Sequence, residues 1–420
     1  MKRSLKILPI LLFSFLLTFS NLYSEDWDRR KDQFENTGGY LVVPAPYEFP
    51  GIGSGLMLIG YAGNLLSTSA DIFAIAFQGD AEGYITSLGE AFIVPDYLYL
   101  TLSTMKITSF GVNMYSTRGM DTEKDDYSIF VGDLYQEFQS RLTLTLFDRR
   151  LEFTIMNYQS NGRATSVNDS EGELITEYPE PVTFENQRNG AFLNLDFTDD
   201  FRDPRTGIRF RAEQFMTPAI EADNPEYRTL NYSLSYYLPL FKDSTWAFNI
   251  MRSDAIVSKK GDTDFASLKA KSQFVSCQGD PACETSITND INNTINANKH
   301  GTATSLGGPT RLRAYPNGRY QSAHTQFYGT EFRWNLSTES SEIDWYFLQD
   351  VQQAIQAAFF WEQGSVAETA SELGDINRTA FGAGLRLVTK SGNLYRFDLA
   401  TGDEGLQVTL LFGYPWEPSF

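Results

Sequence analysis

After Ser24 this chain contains no run of about eighteen apolar residues, the length a membrane-spanning helix needs, yet apolar residues recur at every second position. A chain of that kind either packs as a soluble β-protein or crosses a membrane as a closed barrel. From Ser140 to Tyr158, Leu142, Leu144 and Leu146 alternate with Thr143 and Thr145. A polar turn follows at Asp148-Arg149-Arg150, and then Leu151, Phe153 and Ile155 alternate with Glu152 and Thr154. Two period-two strands joined by a tight connection predict a hairpin. The pattern returns where Leu230, Tyr232, Leu234, Tyr236 and Leu238 oppose Asn231, Ser233 and Ser235. After a turn at Lys242-Asp243-Ser244 it continues with Trp246, Phe248 and Ile250 against Ala247 and Asn249.

Alternation alone does not separate a soluble sandwich from a membrane barrel, but three features favour the barrel. Tyr236, Tyr237 and Trp246 stand near strand ends, where an interfacial girdle belongs. Connections come in two unlike lengths: short turns near Asp148, Lys242, Ser340 and Ser391, and long polar stretches at 120–126, 160–186 and 254–305. Short turns on one side and long loops on the other match the asymmetry of outer-membrane barrels. The alternating segment Leu406–Trp416 precedes Phe420, a terminal aromatic like the sorting signature of such barrels.

Composition removes other classes. Of 420 residues, 42% are apolar and 14% aromatic, so the chain folds. A net charge of −19 disfavours nucleic acid as a partner. Two His and two Cys are too few for the usual zinc or thiolate sites, and no metal or cofactor is expected. Lys2, Arg3 and Lys6 ahead of an apolar stretch from Ile7 to Leu17 read as a signal peptide over 1–24, cut after Ser24. Its removal takes the charge to about −22. In an exported chain, Cys277 and Cys283 read most simply as a disulfide stapling the long Asn-rich loop. His300 and His324 are the only histidines, no Gly-x-Ser-x-Gly elbow occurs, and no catalytic residue is assigned.

Past the long loop, Gly307, Gly308, Pro309, Pro316 and Gly318 demand a turning backbone, while Arg311, Arg313 and Arg319 concentrate cations in an acidic chain. Such a segment is either a solvated turn or a loop held in a polar lumen by ion pairs. The blocks Gly307-Gly308, Leu312-Arg313-Ala314-Tyr315 and Gly318-Arg319-Tyr320 resemble the lumen loop of the bacterial surface antigen superfamily. That family comprises the BamA and TamA group of outer-membrane assembly barrels and the two-partner secretion transporters. Ala314 stands where the family has Gly, which implies a less sharply turned tip. Glu331 and Arg333 resemble the family's Glu-x-Arg strand. The run from Phe360 through Glu362 to Gly364 resembles its Phe-x-Asp-x-Gly strand, so the resemblance implies Glu362 as the partner of Arg313. Asp200, Arg202, Asp203 and Gly207 are similar to a further strand-and-turn signature, and Phe381–Ala400 looks like the penultimate hairpin.

The resemblance implies an all-β, transmembrane antiparallel barrel of sixteen strands in the bacterial outer membrane, with a long extracellular loop folded into the lumen. The first strand near Leu41 would close against the last near Leu410. Lateral opening of that seam would insert or translocate client proteins, among outer-membrane lipids and lipopolysaccharide. Family members carry POTRA domains ahead of the barrel. Here Gly39–Gly63 already reads as the first strand, so the expected layout is 1–24 signal peptide, 25–38 short periplasmic segment and 39–420 barrel. The family's docking platform would then be missing, or supplied by a separate periplasmic companion. The alternative is a passive pore, surface receptor or adhesin on the same fold.

Overall fold

The computed structural model describes residues 30, 33–34, 39–49, 53–115, 117–241, 243–271, 281–336, 341–345, 348–389 and 394–416. The signal peptide, Cys277 with its expected disulfide, the turns near Ser340 and Ser391, and Phe420 lie outside these residues. Strands β1 (Gly39–Phe49), β2 (Gly53–Leu65), β3 (Ala70–Gly79), β4 (Glu82–Val94) and β5 (Leu98–Tyr115) begin the wall. Strands β6 (Tyr127–Leu146), β7 (Leu151–Asn168), β8 (Leu174–Thr198), β9 (Gly207–Thr217), β10 (Glu226–Pro239) and β11 (Ser244–Lys259) follow. Two helices, α1 (Phe265–Lys271) and α2 (Pro281–His300), interrupt the ladder. It resumes as β12 (His324–Asn335), β13 (Ser341–Trp345), β14 (Leu348–Ala367), β15 (Arg378–Thr389), β16 (Leu394–Gly402) and β17 (Gly405–Phe412).

All pairings are antiparallel. Because β12 and β13 both lie along β14, the seventeen segments make a closed barrel of sixteen wall strands. The wall is apolar outside and polar inside, the reverse of a soluble protein. Along β11, Trp246, Ile250 and Ile256 are exposed while Thr245, Ala247, Asn249, Met251 and Ser253 are buried. Phe359, Trp361, Phe381, Leu385 and Leu399 continue the exposed apolar surface, whereas Arg333, Glu362, Arg386, Arg396 and Asp398 are buried within.

Several expectations are corrected. Gly39–Gly63 is two strands, β1 and β2, paired from Gly39↔Gly63 to Phe49↔Gly53. The stretch 160–186 is mostly strand: β7 and β8 pair from Leu151↔Leu195 to Asn168↔Leu174. Strands of 18 and 25 residues outrun the roughly 9–11 that cross a bilayer, so their far ends lie outside it and need no apolar face. Tyr237 is buried in the lumen, near Arg333, and belongs to no girdle. The polar stretch after Asp254 carries β11 on to Lys259 and then folds as helices. Asp264 caps α1 through the Ser267 amide at 2.7 Å. α2 opens on Pro281 and stops at Gly301 (φ +75°), whose amide reaches the Ala297 carbonyl at 2.8 Å.

Candidate functional site

The β11–β12 connection turns back from α2 into the lumen. Leu306 and Tyr320 exchange amide hydrogen bonds at 2.9 and 3.0 Å, closing the base of the loop, and the Gly308 amide reaches the Tyr315 carbonyl at 2.8 Å. Gly307 has φ +100°, and a Cβ there would collide with the Pro316 carbonyl oxygen. The left-handed non-glycine residue at the tip is Leu312 (φ +59°), not Ala314, so the alanine does not slacken the turn. Leu312, Ala314, Tyr315 and Tyr320 pack with Phe327, Phe360, Ala380 and Ala400 of the wall.

That packing carries Arg313 into a ring of carboxylates. Its backbone amide donates to Glu362 Oε2 at 2.8 Å and its Nε to Glu362 Oε1 at 2.9 Å. Its Nη1 donates to Asp398 at 2.8 Å and lies 3.0 Å from Glu331. The guanidinium also stacks 3.4 Å from the centre of the Phe360 ring. Glu331 is shared with Arg333 at 2.9 Å and Arg386 at 2.8 Å, and Asp398 lies 3.5 Å from Arg396. Arg313, Glu331, Glu362 and Asp398 are all 0% exposed. Removing one partner from such a set leaves an uncompensated buried charge.

Farther along the loop, Arg319 donates to Glu404 at 2.8 Å and to Thr122 Oγ1 at 2.6 Å, and Tyr320 reaches Glu404 at 3.2 Å. The loop is thereby tied to the β5–β6 and β16–β17 turns. Gly364 backs the loop base, since a Cβ there would meet Leu306. Arg118 clamps Glu368 at 2.6 and 3.1 Å and the Gly301 carbonyl at 2.8 Å.

The Asp200 signature lies at the opposite end of the barrel. Asp200 Oδ1 accepts the amides of Arg202 and Asp203 at 2.8 and 2.7 Å, shaping the turn that Gly207 (φ +107°) ends. Asp203 accepts the Tyr414 hydroxyl at 2.5 Å. Tyr414 in turn lies 4.1 Å from the Arg333 guanidinium, so Asp203 is joined to the Arg313 cluster through one tyrosine, while Asp200 and Gly207 shape only the turn.

Two further segments enter the lumen that the sequence pattern did not indicate. The strand expected through Trp416 ends at Phe412. Gly413 (φ +85°) turns the chain inward, and Trp416 donates its indole to Glu362 Oε1 at 3.1 Å while Arg311 holds its carbonyl at 2.9 Å. Near the N-terminal end, Arg30 lies 3.4 Å from Asp196, and the Phe201 amide donates to the Gln33 side chain at 2.7 Å. Phe34 stacks edge-on with Phe92 at 4.9 Å and lies 4.9 Å from the guanidinium of Arg149. Arg149 in turn binds Glu90, Glu152 and Tyr99. His324 is paired with Asp254 at 2.6 Å.

No protein-family model and no curated protein sequence matches the chain. Among solved structures it is similar to CdiB from Escherichia coli, with 11% identity and a TM-score of 0.51, over 90% of this chain and 62% of that one. BamA from Haemophilus ducreyi lacking POTRA domains 1–3 aligns at 11% identity and TM-score 0.46, over 90% of this chain and 69% of that one. CdiB from Acinetobacter baumannii aligns at 10% and 0.46, over 90% and 59%. At such identity the likeness is one of fold.

Proposed function

We propose that the chain is a bacterial outer-membrane barrel of the surface antigen type that inserts or translocates other proteins through the seam between β1 and β17. The observation that carries this reading is the weakness of that seam. Among the described residues β1 and β17 share a single residue pair, Glu48↔Leu410, whereas β16 and β17 pair from Gly402↔Gly405 to Tyr395↔Phe412. An edge so poorly paired opens at small cost, and an unpaired edge accepts a strand from another chain. Leu41, expected opposite the last strand, instead pairs with Leu348 of β14.

A passive pore is less well served by this architecture. The β11–β12 loop, the segment through Trp416 and the side chains of Arg30, Gln33 and Phe34 all occupy the lumen. Nor do the buried carboxylates of the Arg313 cluster suggest acid–base work, since each is held by at least one guanidinium. The reading is therefore of a non-enzymatic barrel whose loop braces a weak seam, with client proteins and a periplasmic companion as partners among lipid and lipopolysaccharide.

The test is quantitative proteomics of outer membranes from cells lacking the protein, complemented with the unsubstituted chain or with Glu48→Cys/Leu410→Cys. A defined set of barrels or surface proteins should disappear, return with the unsubstituted chain, and return with the double variant only under reduction. Membranes unchanged except for this chain would overturn the proposal and leave the passive barrel.

A further inference from the structure

β1 carries two prolines, Pro44 and Pro46, inside a ladder with β2 that runs without a register shift from Gly39↔Gly63 to Phe49↔Gly53. A proline has no amide hydrogen, so it leaves a ladder intact only where its nitrogen points away from the partner strand. In β1 that direction is the seam. The pairing there follows the prolines: β1 meets β14 at Tyr40 and Leu41 below them and β17 at Glu48 above them. Between these contacts 42–47 has no seam partner among the described residues. The chain that could have continued β17 along this stretch turns inward at Gly413.

An unpaired edge within a bilayer is costly because its amides have nothing to donate to. Along 42–47 the seam-facing residues are Val42, Pro44 and Pro46, so two of the three donors are already gone. The edge keeps three carbonyl acceptors but offers an incoming strand one donor, so it is a poor template for β-pairing. Its surroundings fit an apolar neighbour. Val42, Leu56 and Leu58 are exposed on the outer face. On the lumenal face, Val43, Ala45, Tyr47, Met57, Ile59, Phe73, Ile75, Phe77 and Ile85 form one apolar cluster. The lumen's other apolar cluster, around Met251, Phe327 and Phe360, is covered by the β11–β12 loop, and buried arginines and carboxylates lie beside it. Along β1 the wall is thus apolar on both faces where its seam edge is also unpaired, so the lumenal patch and the lipid-facing exterior meet at that edge.

We propose that 42–47 is a lateral window filled by a lipid acyl chain, which reaches the partly open lumenal side chains of Val43 and Ala45 past the proline-capped edge. This rests on the barrel lying in a bilayer and not on its having clients. A polypeptide strand would find a single amide donor there, and a client strand would have to pair with β17 instead.

The experiment uses the full chain in nanodiscs of phosphatidylethanolamine and phosphatidylglycerol, doped with a phosphatidylcholine bearing a diazirine in its acyl chain. After irradiation, peptide mapping should find lipid adducts on lumen-facing Val43 or Ala45 as well as on outward-facing Val42, Leu56 and Leu58. Adducts confined to the outward-facing residues would overturn the proposal, and this arm needs no variant to fold. In Pro44→Val/Pro46→Val, which restores both donors, the lumenal adducts should fall by more than half as the seam closes. Undiminished adducts in a folded double variant would overturn the role of the prolines. A photoreactive residue at Ala45 in cells should capture lipid; capture of a protein strand would overturn the window while leaving the insertion reading standing.

Discussion

Arg313 and Trp416 meet on one oxygen: the Nε of Arg313 donates at 2.9 Å, and the indole of Trp416 at 3.1 Å, to Oε1 of Glu362. One arrives on the β11–β12 loop and the other on the segment after β17, so a single wall carboxylate joins the lumen loop to the strand that closes the barrel. Movement of either segment changes the surroundings of the other.

Glu362→Gln should therefore act on both. The substitution leaves Arg313 with Glu331 and Asp398 but removes one of three buried negative charges, and breaking a buried pair costs about 3–5 kcal/mol. The folded form on unheated electrophoresis should be lost at markedly lower temperature than in the unsubstituted chain. Trp416→Phe should cost less, and little more when added to Glu362→Gln, because its partner is already altered. Additive effects would show the two contacts to be independent.

How much of this cluster could be read beforehand depended on the kind of signal. The β10–β11 alternation was plain because one face meets lipid and the other the lumen, and Trp246, Ile250, Ala247 and Asn249 sort accordingly. The outer halves of β7 and β8 lie beyond the bilayer, so Asn161↔Glu185 and its neighbours carry no apolar stripe to see. Glu362 came from resemblance alone. Asp398, another close partner of Arg313, lies on β16, and its place depends on barrel register, which no local pattern encodes. Leu406–Trp416 keeps its alternation to the end, yet the Gly413 turn sends Trp416 inside, where an indole donor finds a carboxylate.

Gly307→Ala tests how tightly the loop tip is built. Alanine would have to adopt φ +100° and also clash with the Pro316 carbonyl, and strain of this kind costs about 1–3 kcal/mol. Gly405→Ala meets a similar φ of +109° with open space around it. Gly307→Ala should thus lower the urea midpoint more than Gly405→Ala and expose the loop to protease. Equal effects would mean that only the backbone angle matters.

At the other end of the barrel, Arg149 donates to Glu152 at 2.9 Å and to the Tyr99 hydroxyl at 3.0 Å, binds Glu90, and stacks 3.9 Å from Phe201. Lysine keeps the charge but not the planar fork or the stacking. Arg149→Lys should release the segment at Gln33 and Phe34, making Gln33→Cys reactive to a maleimide that leaves it alone in the Arg149 background. Arg163→Ala is the comparison: its pair with Asp133 at 3.0 Å is 43% exposed on each side, and such pairs contribute less than about 1 kcal/mol. Equal maleimide reactivity in all backgrounds would detach Arg149 from the seating of that segment.

The last prediction concerns acid. Asp262, in the loop before α1, accepts the Ser267 hydroxyl at 2.6 Å, the Asp264 amide at 3.0 Å and the Lys271 ammonium at 2.9 Å. Ser267 first, then the amide and the lysine, hold its carboxyl down to about 2. A depressed carboxyl stabilises its surroundings above the ordinary carboxylate range, and that contribution is lost as pH falls through about 2. Lys271 also reaches Asp223 at 2.8 Å, so this group ties α1 to the β9–β10 loop. Spin labels on Ala270 and Asn224 should keep their separation from neutral pH down to about pH 3 and spread only as pH approaches 2. Asp262→Asn, which cannot carry the charge, should show the spread distribution at neutral pH. Spreading of the unsubstituted chain already in the ordinary carboxylate range would show that Asp262 does not hold α1 in place.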